Sequence, residues 1–193
     1  KEDLWLHVDG AIGGVFSLSR STSSLMNGIS LANSVTLNPQ KLLGIAKTSS
    51  LLLVANRKDL KATFETGLPY IEPSEGSPHG GEIGLQGTRP AEALKLWLGL
   101  RQLGEEGLQQ LLEESLIRRS YLEKQLNTSK FRIISGPLHL IAVTPRFADD
   151  NEAAKWSMAT RHILLSENFM LSRPIYNQKY YLKAVMGNPN TKN

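Results

Sequence analysis

Two charged residues that could act on one bound molecule each follow a short apolar stretch early in the chain. Asp9 closes a stretch in which Leu4, Leu6 and Val8 alternate with Trp5 and His7. Lys41 follows the alternating residues 34–37 after an Asn-Pro turn. A carboxylate favours the charged form of a nearby cation, and a lysine that can lose its proton attacks carbonyl groups. The two residues could therefore serve one site that combines a negative charge with a nucleophilic amine.

The elements that must position this pair are strands of one sheet. Residues 4–9 and 34–37 alternate in the manner of strands, and the continuous apolar run 51–54 predicts a third strand buried on both faces. Such runs are typical of a mainly parallel sheet covered by helices, the α/β class. Ligand sites in open α/β sheets lie beyond the carboxyl ends of the strands, so we expect Asp9 and Lys41 to meet there.

The remainder of the chain predicts further helices and strands. We expect a loop and short helix over 16–33, a short helix over 59–64, and a long Gly- and Pro-rich loop over 67–87. A helix that begins near Pro90 should end at Gly104, and a second should span about 105–126. Strands over 131–134, 138–143, 169–171 and 180–186 and a helix over 152–166 then predict a small α+β domain.

The two motifs around the charged residues resemble those of one enzyme family. The first reads His7-Val8-Asp9-Gly10-Ala11 and the second Asn38-Pro39-Gln40-Lys41. They are similar to the His-Val-Asp-Ala-Ala and Asn-Pro-His-Lys motifs of the pyridoxal-phosphate-dependent group II amino-acid decarboxylases, which act on glutamate, cysteine sulfinate, diaminobutyrate and aromatic amino acids. The resemblance continues through residues 86–97 to Asn188-Pro189, nearly the whole chain.

The resemblance implies a fold, a reaction and a cofactor, pyridoxal 5'-phosphate (PLP). The fold would be of the fold-type I PLP-dependent transferase-like kind. Residues 1–94 would be the C-terminal part of the large PLP-binding domain, and residues 95–193 the small C-terminal domain. The reaction would be decarboxylation of an L-amino acid through a lysine aldimine, which makes the protein a carboxy-lyase of amino-acid metabolism.

The resemblance also assigns roles to the motif residues. Lys41 would hold the cofactor as an internal aldimine, and Asp9 would keep the pyridinium nitrogen protonated. Ala11 would lie against the face of the ring, and Asn38 near the phosphate. His7 also matches the cofactor-binding motif, although its parity along the strand favours a structural histidine.

Gln40 departs from the family, which has histidine at this position in contact with the phosphate. Glutamine can still donate a hydrogen bond to phosphate, but it does not titrate near neutral pH. Cofactor binding at Gln40 is therefore expected. An alternative is a catalytically impaired paralogue, or a fragment that acts as a partner.

Two further residues match positions that the family uses. Tyr70, 29 residues after Lys41, would return a proton to the α-carbon from the 67–87 loop. This tyrosine favours simple decarboxylation over the aldehyde-forming route of a related PLP-dependent aldehyde synthase. A related PLP-dependent carbon–carbon lyase is a further alternative. Lys183, five residues before Asn188, stands where glutamate-type relatives carry an arginine for the substrate carboxylate. Lysine keeps the charge but loses the planar two-point contact.

Composition narrows the remaining classes of function. The 193 residues carry a net charge of +4, with the basic residues spread along the chain, which does not favour nucleic-acid binding. With no cysteine, the chain forms neither disulfides nor thiolate metal sites, and we expect no metal. No apolar run approaches the roughly 20 residues of a membrane span. We expect a cytoplasmic enzyme whose partner is a small-molecule substrate, an amino acid, and neither a nucleic acid nor a membrane.

The first residue is Lys1, and a buried type of strand follows at once, which predicts a C-terminal piece of a longer chain. We expect this piece to be inactive alone. The resemblance implies a homodimer of the full-length protein, with active sites at the subunit interface.

Overall fold

The computed structural model describes residues 4–47, 49–67 and 80–191. Tyr70, and with it most of the loop predicted over 67–87, lies outside these residues. The chain forms two compact units, Lys1–Leu108 and Gln109–Asn193. The domain boundary predicted after residue 94 on the family resemblance stays a prediction.

The first unit is built on a three-stranded sheet in the order β1-β2-β3. Its strands are β1 (His7–Gly10), β2 (Ser34–Leu37) and β3 (Leu51–Val54). The first two strands run parallel, as the sequence predicted, and Asp9 lies opposite Thr36. One face of the pair is apolar, because alternate side chains point to opposite sides of a strand. There Ala32, Val35 and Leu37 are buried, with Val8, Ile29 and Leu51 packed against them.

The third strand differs from the prediction in direction and in burial. β3 pairs with β2 antiparallel, and Leu52 and Leu53 are 52% and 48% exposed. The prediction of a strand buried on both faces was therefore wrong for this chain. Only Leu51 of this run packs against the core cluster.

The connections in the first unit are mostly short helical turns. Between β1 and β2 lie three 3-10 helices, Gly14–Leu18, Ser23–Met26 and Ile29–Leu31, where a loop and one short helix were expected. After β3 comes α1 (Arg57–Phe64), whose first turn is capped by Asn56, because its side chain accepts a hydrogen bond from the N–H of Lys58 at 3.1 Å.

A long helical segment follows in α2 (Glu92–Gln125). Gly104 breaks it, with φ of 64° and ψ of −179°, a left-handed backbone region that glycine adopts without steric cost. The sequence predicted this break.

The second unit packs helices on an antiparallel sheet in the order β4-β5-β8. The strands are β4 (Phe131–Ser135), β5 (Leu140–Pro145) and β8 (Leu182–Val185), and α3 (Asp150–Ser166) follows β5. A capping box between Asp149 and Glu152 begins α3. Buried Leu112, Ile141 and Leu182 contribute to the apolar interior of this unit.

Two predicted strands of the second unit are displaced. Residues 169–171 form no strand, and only the bridge between Ser172 and Lys183 lies nearby. The predicted strand 180–186 is divided into β7 (Lys179–Tyr180) and β8, with β7 paired to β6 (Ile175–Tyr176) as a hairpin. Asn177 and Gln178 form its turn with φ of 46° and 62°, which suits a two-residue hairpin loop.

Candidate functional site

Asp9 stands near the carboxyl end of β1 on the polar face of the sheet. Its side chain is exposed, and one carboxylate oxygen accepts a hydrogen bond from the backbone N–H of Ala11 at 3.0 Å. Within the described residues the other oxygen has no hydrogen bond, so it is available to a ligand. The Ala11 bond fixes the direction of the carboxylate and places the Ala11 backbone beside it.

Small residues after β1 let the chain pass close to β2. A Cβ added to Gly10 would lie 2.8 Å from the carbonyl oxygen of Thr36, and one added to Gly14 would lie 2.1 Å from Cδ2 of Leu37. Both distances are shorter than real Cβ contacts. The glycines thus serve the packing of β1 and its following turn on β2, and this packing sets where Asp9 and Ala11 stand.

His7 is held by hydroxyl groups of β2. Its Nδ1 lies 2.7 Å from Oγ of Ser34, and its Nε2 lies 3.2 Å from Oγ1 of Thr36. The Ser34 hydroxyl also accepts a hydrogen bond from Nε1 of Trp5 at 2.9 Å. A neutral imidazole has one donor and one acceptor nitrogen, and a hydroxyl can serve either. Both ring nitrogens are therefore engaged, as expected of a structural histidine that fixes the register of β1 on β2.

Lys41 lies in the turn that follows β2. Its backbone N–H donates to the carbonyl of Asn38 at 2.9 Å, and its side chain is exposed. The next residues turn inward, with Leu42 and Leu43 only 5% and 4% exposed. Leu42 and Leu43 thus leave the amine-bearing side chain of Lys41 exposed. No hydrogen bond or ion pair of this amine occurs in the described part of the chain.

Asn38 and Gln40 tie this turn to the segment that enters β3. Oδ1 of Asn38 accepts a hydrogen bond from the Ser50 hydroxyl at 2.8 Å, and Oε1 of Gln40 accepts one from the backbone N–H of Ser49 at 2.8 Å. Each amide oxygen is thereby engaged, and each NH₂ group remains to donate to a ligand such as a phosphate. Sequence reasoning did not single out Ser49 and Ser50. Their only signal is a polar Thr-Ser-Ser run directly before β3.

The two remaining predicted site residues are Tyr70 and Lys183. Tyr70 lies outside the described residues, and its role stays a prediction. Lys183 lies on β8 in the second unit, opposite Ala142 of β5, and is half-buried. Its backbone exchanges hydrogen bonds with Ser172, at 2.8 Å from its N–H and 3.1 Å to its carbonyl.

The residues around Asp9 and Lys41 suit a phosphorylated pyridine aldehyde. An exposed carboxylate can pair with a protonated ring nitrogen, an exposed primary amine can bond to the aldehyde carbon, and two amide NH₂ groups can donate to phosphate oxygens. Asp9 lies near the carboxyl end of β1, and Asn38, Gln40 and Lys41 follow β2, the adjacent parallel strand. Across the described ranges, no group of three or more His, Asp or Glu side chains is arranged to hold a metal ion.

Solved structures of other proteins share this arrangement of strands and helices. Mouse CSAD in apo form superposes with a TM-score of 0.82 at 22% identity, over 98% of this chain and 42% of that one. The fold is of the fold-type I PLP-dependent transferase-like class, here as part of the large domain with a small α+β unit. A protein-family model described as "Pyridoxal-dependent decarboxylase conserved domain" matches residues 1–146. The chain belongs to this family, and PLP is the cofactor of the family.

Curated relatives agree with this assignment. The chain is 33% identical over 150 residues to the aromatic-L-amino-acid decarboxylase of Bacillus atrophaeus. The aligned residues cover 76% of this chain and 31% of that protein. It is 28% identical over 201 residues to the L-2,4-diaminobutyrate decarboxylase of Rhizobium meliloti (strain 1021), over 97% of this chain and 39% of that protein. The chain thus spans about a third of the length of these relatives.

Proposed function

We propose that the protein to which this chain belongs decarboxylates an L-amino acid with PLP as its cofactor, and that this chain supplies Asp9 and Lys41 to the reaction. The observation that carries the proposal is that Asp9 lies near the carboxyl end of β1 and Lys41 lies in the turn after β2, the adjacent parallel strand. Family membership and the two named decarboxylases support it.

Bound PLP supplies an electron sink for the electrons that remain when carbon dioxide leaves. Asp9 would keep a proton on the pyridine nitrogen, because a carboxylate beside that atom favours its charged form. The hydrogen bond from Ala11 leaves one oxygen of Asp9 for this contact. Removal of the negative charge would weaken the sink without removing the site.

Lys41 would hold the cofactor through its amine and release it when the amino group of the substrate takes its place. The backbone bond from Lys41 to Asn38 and the side-chain bonds to Ser49 and Ser50 keep its turn in one conformation. A fixed turn reduces the freedom that the lysine would lose on binding. The NH₂ groups of Asn38 and Gln40 would then donate to the phosphate.

The remaining roles concern the substrate and the proton. Tyr70 would return a proton to the α-carbon after decarboxylation. Lys183 would attract a carboxylate of the substrate by charge alone. We also propose a homodimer in the cytoplasm, on the resemblance of the whole chain to the family. In the described ranges, no helix combines the length and apolar character that crossing a membrane requires.

The test is a screen of carbon dioxide release by the natural-length protein on glutamate, aspartate, cysteine sulfinate, diaminobutyrate and aromatic amino acids, with Lys41→Ala as the matched inactive control. We expect release from at least one substrate, and none from the control. Bound-cofactor absorbance without release from any substrate would contradict the proposal and favour a non-catalytic paralogue. Mass spectrometry of the products separates an amine from an aldehyde.

A further inference from the structure

The segment after Lys41 turns its apolar side chains away from the lysine. Leu42, Leu43 and Ile45 are 5%, 4% and 6% exposed, while Lys41 is exposed. Gly44 lies between them with φ of 64°, a conformation in which most other residues are strained. The position of the Lys41 amine therefore depends on what Ile45 and its neighbours pack against.

Gly99 of α2 lies directly against Ile45. A Cβ added to Gly99 would be 2.8 Å from Cγ1 and 3.1 Å from Cδ1 of Ile45. At these distances the Ile45 side chain or the helix would have to shift. Glycine is unfavourable inside a helix. Its presence at this point is explained by the close approach of the helix backbone to the buried side chain.

Lys95 holds the same segment one helical turn earlier. Its Nζ donates to the backbone carbonyl of Lys47 at 2.8 Å and forms an ion pair with Oε2 of Glu92. Residues four apart lie on one face of a helix, so Lys95 and Gly99 present a single face to the segment. The ion pair with Glu92 orients the Lys95 side chain, which is about two-thirds buried.

The 41–47 segment is thus held at both ends. At its start, the amide of Gln40 binds the N–H of Ser49, and at its end Lys95 binds the carbonyl of Lys47. Between them Ile45 rests on Gly99. All these contacts lie within the first compact unit.

We propose that Lys95 and Gly99 are positioning residues that set where the Lys41 amine stands. Neither residue would touch the reacting atoms. Lys95 would act by fixing the Lys47 carbonyl, and Gly99 by leaving room for Ile45. This inference rests on the proposed role of Lys41 as the amine that holds the cofactor.

The experiment uses the natural-length protein and two readouts. The first is borohydride trapping at increasing PLP concentration, with the modified peptide identified and quantified by mass spectrometry. The second is the hydrogen-exchange rate of the Ser49 amide in the cofactor-free protein, because this N–H is bonded to Gln40. The variants are Lys95→Met, Lys95→Arg and Gly99→Ala. Lys61→Met is the matched control, since it removes an exposed lysine that pairs with Glu65 on α1.

For Lys95→Met we expect half-trapping of Lys41 to need about 3–10-fold more PLP, and Ser49 to exchange faster by a similar factor, as for the loss of one hydrogen bond. Lys95→Arg should restore part of the trapping of Lys41 and part of the protection of the Ser49 amide, because arginine keeps a hydrogen-bond donor for the Lys47 carbonyl. Gly99→Ala should act in the same direction as Lys95→Met. Lys61→Met should match the wild type in both readouts.

Wild-type trapping of Lys41 in Lys95→Met would overturn the inference, whether or not Ser49 exchanges faster, because the helix would then not set the position of the amine. Labelling of a lysine other than Lys41 in the wild type would instead overturn the proposed function. In that case, the Ser49 exchange rate in Lys95→Met still tests whether Lys95 holds the 41–47 segment. A rate equal to that of the wild type would overturn the inference about Lys95 as well.

Discussion

The side-chain amide oxygen of Gln40 accepts a hydrogen bond from the backbone N–H of Ser49 at 2.8 Å. This contact joins the turn that carries Lys41 to a residue that is only 3% exposed. A protonated imidazole has no acceptor nitrogen and could not accept such a bond, whereas an amide oxygen accepts it at any pH near neutrality. Glutamine in place of the family histidine is therefore compatible with a fixed Lys41 turn.

The first prediction concerns this contact. Gln40→Leu removes both the acceptor for Ser49 and the proposed donor to phosphate, so we expect PLP affinity to fall by about tenfold or more. Gln40→Glu keeps the acceptor but loses the donor, and it adds negative charge near the phosphate. Equilibrium titration with PLP measures both variants. If the Leu variant binds PLP as tightly as the wild type, Gln40 has no role in the site.

The second prediction concerns Lys41. Borohydride reduction of the natural-length protein with PLP should attach the cofactor covalently to this residue, because its exposed amine follows β2 beside the proposed phosphate donors. Peptide mapping by mass spectrometry identifies the site. Lys41→Ala should abolish the label and carbon dioxide release together. A label on Lys47 or Lys61 would show that the lysine was assigned wrongly.

The third prediction concerns Asp9. Asp9→Asn keeps the shape but removes the charge that favours a protonated ring nitrogen. An opposite charge near an ionisable group shifts its pKa by about 1–3 units, so decarboxylation should fall by roughly 10–1000-fold. Binding of PLP should weaken less, since Lys41 and the phosphate donors remain. Steady-state kinetics and cofactor titration separate the two effects. Near-normal turnover in Asp9→Asn would exclude the electron-sink role.

The fourth prediction concerns Tyr70 as the proton donor. Tyr70→Phe should leave cofactor binding intact and slow the return of a proton to the α-carbon by roughly 10²–10⁴-fold. In air, part of the substrate should then be diverted to an aldehyde with ammonia and peroxide. Product analysis gives the ratio of amine to aldehyde. Amine alone at the wild-type rate would assign the proton to another group. The next variant to measure would then be His79→Gln, because His79 belongs to the same predicted loop, residues 67–87.

The fifth prediction concerns stability in acid and rests on His139 of the second unit. Burial, and to a lesser extent the nearby charge of Arg118, lower the pKa of His139 to about 4 from its ordinary value of 6.5. The unfolded chain therefore binds a proton at this residue at higher pH than the folded chain does. The free energy of unfolding therefore contains the full contribution of neutral His139 above pH 6.5. It loses this contribution as the pH falls from 6.5 towards 4.

The loss could reach roughly 3 kcal/mol for a shift of this size, because each pKa unit corresponds to about 1.4 kcal/mol. Urea unfolding of the natural-length protein at several pH values, followed at the second unit, measures it. His139→Gln should flatten the dependence of the unfolding free energy on pH between 4 and 6.5. An equally steep dependence in this variant would assign the acid sensitivity to other residues.

The alternation over residues 4–9, and again over residues 34–37, was enough to predict β1 and β2, although β1 begins only at His7 and the preceding Leu4 and Leu6 are 74% and 50% exposed. Period-two alternation leaves one face apolar, and on that face Val8 packs against buried Val35 and Leu37, which favours pairing of the two strands in one sheet. The break at Gly104 was equally predictable, since a glycine between two apolar helical patterns favours an interruption. These features are local, and the chemistry of single residues determines them.

Contacts between distant residues were not predictable in the same way. Leu52 and Leu53 point to opposite faces of the sheet and both are exposed, and four apolar residues in a row do not reveal this. Likewise, the sequence is compatible with both a cofactor-binding and a structural role for His7. The contacts of both ring nitrogens with the hydroxyls of Ser34 and Thr36 favour the structural role.

The sequence by itself thus determined which side chains could do the chemistry, because residue type and strand period are local properties. The tertiary structure alone decided what holds them. Gln40 meets Ser49 across a turn, and Lys95 meets Lys47 across 48 residues of chain. Such partners depend on how the helix and the sheet pack, and packing is a property of the whole unit.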